Sequence, residues 1–169
     1  MNGSVPGPPL LDEEHAAFIQ RRVSMLVGSC SVEGLPSLAR AYGCRVFPDR
    51  RSLTVFLAVP QSEALLRDLR AGGAIAVVFS RPSTHQTLQL KGSVQRMSPV
   101  TADDRLVMRA YGRSFAEEVA ALGFGRAFQH AIMAPVEHAA FAVTFVPAAA
   151  FVQTPGPAAG QQLGGESCN

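Results

Sequence analysis

The sequence predicts a mainly β domain with flanking helices, built as an antiparallel barrel of six strands. Two observations carry that expectation. Six apolar segments of strand length recur along the chain, and most are joined by tight turns rich in Gly, Pro and Asp, which favour antiparallel pairing. Charged residues make up only 17% of the 169 and are sparse on either face of those segments, as a closed or nearly closed barrel requires. The length suits one domain with its own core.

The elements follow in order. Asp12 stands as the N-cap of a helix over residues 12–21, with Glu13 and Glu14 in its first turn. Strands are expected over 23–31 (VSMLVGSCS), 37–47 (SLARAYGCRVF) and 52–59 (SLTVFLAV), separated by the turns VEGLP and PDRR. The third is apolar on both faces, as an interior strand would be. Ser62 opens a short helix with the stripe Leu65, Leu66 and Leu69, ended by Gly72-Gly73. AIAVVFS, 74–80, reads as a second strand apolar on both faces, and a further strand runs from Thr84 to about Met97. Capping boxes at Thr101–Asp104 and Ser114–Glu117 start two short helices broken near Gly112. The last long strand is 137–147, and the strands read as a meander. Residues 1–11 are expected to form a flexible leader, 12–152 the single barrel domain, and 153–169 a Gly/Pro-rich tail.

Composition narrows the function. A net charge of +2 without any Lys/Arg-rich run gives no nucleic-acid-binding face. No apolar run reaches the ~18 residues of a membrane span, so no membrane partner is expected. MNGSVPGPPLL lacks the basic start and apolar core of a secretory signal, and a cytoplasmic protein is expected. Cys30, Cys44 and Cys168 are odd in number and form no CxxC pair, which argues against a disulfide framework or a structural zinc site. Cys30 and Cys44 read as small buried hydrophobes, Cys168 as an exposed thiol. His15, His85, His130 and His138 show no ligand spacing, and Pro135 interrupts any helix between the last two, so no metal is expected. The sequence contains no GxSxG, HExxH, GxxxxGK[ST] or GxGxxG, and no catalytic residue is assigned.

Three features could bind an anion. Arg40 shares a strand face with Leu38, Tyr42, Cys44 and Val46, where a charge must find a partner or reach solvent. Either its fork grips an anion, or its stem covers apolar surface while the head stays wet. Ser62, at a helix start, is either an anion site or only a cap. In THQTLQLKG, His85, Thr87, Gln89 and Lys91 alternate onto one face. That face is either a solvated side of a sheet or a wall offering one cation and several neutral donors.

The segments SMLVGSCSVEGLPSLARAYG, SLTVFLAVPQSEALLRDLRAGGAIAVVFSRP and LQLKGSV follow one another within about residues 12–98. In that pattern the chain resembles the pyridoxamine 5'-phosphate oxidase-like, FMN-binding split-barrel superfamily. The resemblance implies a six-stranded antiparallel split β-barrel, a homodimer with FMN in grooves between subunits, and oxidoreductase chemistry on a small molecule. It places cofactor-binding groups at Arg40, Ser62, Thr87, Gln89 and Lys91. Glu63 and Ala64 stand where the authentic oxidases usually carry an Arg-Lys pair, and Trp is absent from the whole chain, so pyridoxamine phosphate oxidation itself is not expected. A haem-binding or cofactor-free barrel serving as a binding module or sensor, and a deazaflavin (F420)-dependent reductase, remain as alternatives.

Overall fold

The computed structural model describes residues 8–164. Cys168 and the ends of the leader and tail lie outside them. Three strands, β1 (Ser24–Cys30), β2 (Pro36–Val46) and β3 (Leu53–Ala58), follow the first helix, α1 (Glu13–Phe18). Helix α2 (Val59–Arg70) leads to β4 (Ile75–Ser80) and β5 (Thr87–Pro99). Helices α3 (Ala102–Ala120) and α4 (Arg126–Met133), then a 3-10 turn over Ala134–Glu137, precede β6 (Ala140–Val152).

The strands close a barrel in the order β1-β2-β3-β6-β5-β4, and every pairing is antiparallel. This bears out the six-stranded barrel and corrects the meander. Tight turns join only β1 to β2, β2 to β3 and β4 to β5. Helix α2 carries the chain from β3 across to the far side of β1, and β6 inserts between β3 and β5. The barrel interior is filled by the alternate residues Met25, Val27, Ala39, Ala41, Val55, Leu57, Val77, Phe79 and Leu90, joined from α2 by Leu65, Leu66 and Leu69.

Outside the barrel, the two sides differ. Along β2, β3 and β6, α3 lies over a second apolar cluster of Tyr42, Phe56, Ala58, Met108, Ala140 and Ala142. All six residues of β3 are buried, as its two-faced apolar sequence requires. The same expectation fails for β4, which alternates between buried and half-buried residues. Its outer residues Ala76 and Val78 are half-buried, and no helix lies directly over them among the described residues. No helix among the described residues is long and apolar enough to cross a membrane.

Several local expectations change. Asp12 caps α1 through a 2.8 Å bond from the His15 amide, but the helix ends at Phe18. Helix α2 starts at Val59 rather than Ser62. Pro60 presets the helical φ there, and the Val59 amide donates to Ala139 O at 2.8 Å, so no side-chain cap is needed. Thr101 and Asp104 form the capping box as expected. The second box does not form, because α3 runs unbroken through Gly112 and the Ser114 hydroxyl turns back to Tyr111 O at 2.9 Å. Helix α4 has no counterpart in the sequence reading. Strand β6 extends to Val152, five residues past the expected end, and Leu163 of the tail folds back onto the core. Cys44 is buried, whereas Cys30 is exposed at the end of β1.

Candidate functional site

Among the described residues, the uncovered side of the barrel is the outer face of β2, β1, β4 and β5. Directly paired residues of antiparallel strands share a face. The register aligns Arg40 with Leu26, Leu26 with Val78, Val78 with Gln89, and Gln89 with Phe151 of β6. A parallel row runs through Leu38, Gly28, Ala76 and Lys91. Ser24, Ser80 and Thr87 form a third. The result is an apolar platform edged by polar groups. Leu26 is 41% exposed and Leu38 67%, although both sit in the middle of sheet strands.

Of the five residues expected to bind cofactor, the structure gathers three. Thr87, Gln89 and Lys91 point outward from β5 at alternate positions. Thr87 Oγ1 lies 2.9 Å from Ser80 Oγ and donates to His85 O at 2.9 Å. The Gln89 side chain accepts a long bond from Gln153 at 3.4 Å. Lys91 is exposed, with Nζ 5.2 Å from the centre of the Phe151 ring, and makes no ion pair among the described residues. His85 does not join this face. It sits in the β4–β5 turn with φ 60, because the strand begins only at Thr87.

Arg40 stands on the opposite edge of the platform. Three strand spacings separate it from Gln89, about 14 Å along the sheet. Its fork is turned toward α3. One guanidinium nitrogen donates to Ser24 Oγ at 3.1 Å and the other to Tyr111 OH at 3.3 Å, while the Phe115 ring lies 4.7 Å from its centre. Nε is buried with no partner among the described residues. Tyr111 donates in turn to Val23 O at 2.9 Å, and burial pushes its hydroxyl up to about 12, against the opposing pull of Arg40. Tyr111 therefore stays a neutral donor across the ordinary pH range.

The expected shared face of Arg40 with Cys44 and Val46 is corrected by a bulge. The β2–β3 register shifts between Ala41 and Cys44, where Gly43 takes φ 130. One extra residue reverses the side-chain parity, so Leu38, Arg40 and Tyr42 face outward while Cys44 and Val46 turn to the core. Ser62 is buried at 1% exposure on the same helical stripe as Leu65, Leu66 and Leu69, and its hydroxyl has no partner among the described residues. It does not open onto the platform. The platform thus offers one exposed ammonium, two neutral polar side chains and an apolar floor.

The sequence matches no protein-family model and no curated protein sequence. Solved structures do match. A protein of Lactobacillus delbrueckii assigned as a pyridoxamine 5'-phosphate oxidase superposes with a TM-score of 0.52 at 12% identity, over 84% of this chain and 93% of its own. The fold is the split barrel of the pyridoxamine 5'-phosphate oxidase-like proteins. Group A Streptococcus HupZ is also similar to this split barrel, with a TM-score of 0.50 at 14% identity, over 89% of this chain and 99% of that one.

Sequence reasoning missed the platform itself. Its signal was present: Leu26 and Leu38 fall on the opposite parity from Val27 and Ala39, so both strands are apolar on the side away from the core.

Proposed function

We propose that this split barrel is an FMN-dependent oxidoreductase acting on a small molecule as a homodimer. The observation that carries the reading is the apolar platform, left uncovered by the described residues and bordered by the exposed ammonium of Lys91, which makes no ion pair among them. Two copies meeting at their platforms would cover Leu26, Leu38 and Val78 and leave a groove beside β5. Lys91 would pair with the phosphate of FMN, and Gln89 and Thr87 would supply neutral hydrogen-bonding groups along the groove. FMN, when bound, supplies the electron transfer that no side chain here provides. The chain contributes orientation, a hydrocarbon surface for the ring, and exclusion of water once the platforms close. Arg40 borders the same face, but its bonds to Ser24 and Tyr111 give it a supporting role in holding β1, β2 and α3 together.

The absorbance spectrum of the purified protein after addition of FMN tests the reading. Flavin bands that remain with the protein through desalting support it. Lys91→Ala should weaken FMN binding about tenfold, the worth of one charge-assisted pair. A protein that retains no flavin overturns it. Should haem addition give a Soret band that disappears on changing His85 or His138, the haem-binding alternative takes its place.

A further inference from the structure

A cavity of about 550 Å³ opens between α3 and α4, and none of its lining residues belongs to the platform or to the cluster around Arg40. That volume is typical of small-molecule pockets, which often form between helices. The floor is apolar. Gly112 and Ala116 lie one turn apart on α3, and a Cβ at Gly112 would meet the Met133 methyl of α4 at 2.7 Å. Small residues here let the two helices approach and leave room above them.

The rim is cationic. Arg109 and Arg113, also one turn apart on α3, both line the cavity, and neither makes an ion pair or hydrogen bond among the described residues. Gln129 and His130 join them from α4. Glu137 lines the same space but pairs with neither arginine. Two arginines against one carboxylate leave one surplus positive charge, which suits a monoanion better than a doubly charged phosphate. The arginine fork matches a carboxylate bidentately, and a floor of methyl and methylene groups takes hydrocarbon out of water.

We propose that this cavity binds a small monocarboxylic acid with an apolar body. Arg109 and Arg113 hold the carboxylate, Gln129 and His130 offer it further donors, and Gly112, Ala116 and Met133 receive the hydrocarbon. The site is separate from the FMN groove and does not depend on it.

Calorimetric titration of the full chain with decanoate tests the proposal, with 1-decanol as the uncharged control. Decanoate should bind, and the double substitution Arg109→Gln/Arg113→Gln should weaken it about tenfold or more. Both arginines are exposed, so this variant keeps the core intact. Ala116→Phe, which fills the cavity, should weaken binding comparably, and decanol should bind about tenfold less tightly than decanoate. Three results overturn the proposal: no binding at millimolar decanoate, affinity that survives either substitution, or decanol binding as tightly as the acid.

Discussion

Asp104 closes the capping box of α3 and accepts a 2.7 Å bond from Arg45 on β2. Burial alone would raise its carboxyl. The amide and hydroxyl of Thr101, with the Arg45 guanidinium, outweigh that and hold it below the usual 3.8. A carboxyl lowered on folding contributes stability above its unfolded value and loses it as the pH falls through the folded one. Asp104→Ala should therefore cost about 2 kcal/mol at neutral pH, read by urea unfolding, from the lost cap and the lost charged hydrogen bond. The difference between the two proteins should narrow as the pH drops below 3.8. Half of this arrangement was legible: TADD spells a cap. Its Arg45 partner was not, because the pair joins positions 59 apart and no local pattern records it. The same holds for Arg40. Parity gave its neighbours Leu38 and Tyr42, but which helix would cover it depended on Tyr111 and Phe115, far along the chain.

Glycines separate the elements that bend from those that only touch. At Gly92 a bulge in the β5–β6 pairing brings β6 so close that a Cβ would overlap the Val146 carbonyl. Backbone cannot step aside cheaply, so Gly92→Ala should destabilise by about 3 kcal/mol. At Gly112 the obstacle is the end of the flexible Met133 side chain, and alanine adds helix propensity worth about 1 kcal/mol. Gly112→Ala should shift stability by less than about 1 kcal/mol. Thermal unfolding of the two variants side by side checks the contrast. Glycine is a poor helix former, so the sequence alone predicts a helix break near Gly112. Helical packing overrode that preference, since Met108, Tyr111, Phe115 and Val119 keep one stripe buried on both sides of it.

Across the whole molecule, the barrel was legible from strand count, turn chemistry and low charge, and its strand order was not. Periodicity describes each strand alone, whereas order depends on which edges the crossover α2 and the returning β6 bring together. The bare platform gives the whole-molecule prediction. Leu26→Asp and Leu38→Asp should each leave the monomer folded, since neither contributes to the core, and should disrupt the proposed dimer. Light scattering at micromolar concentration would read this as a halved mass against the parent protein. A parent already monomeric there removes the dimer and the groove with it.

Strand β6 has a kinetic consequence. It pairs with β3 through six register positions and with β5 through eleven, yet of the barrel strands it leaves the ribosome last. Until residues 140–152 emerge, β3 and β5 each keep an open edge, and closure must join segments about ninety residues apart, as between Thr54 and Thr144. Pairing across such separations is slow, and open edges recruit other chains. The nascent protein is thus most exposed to aggregation in the interval between synthesis of its fifth strand and arrival of its sixth.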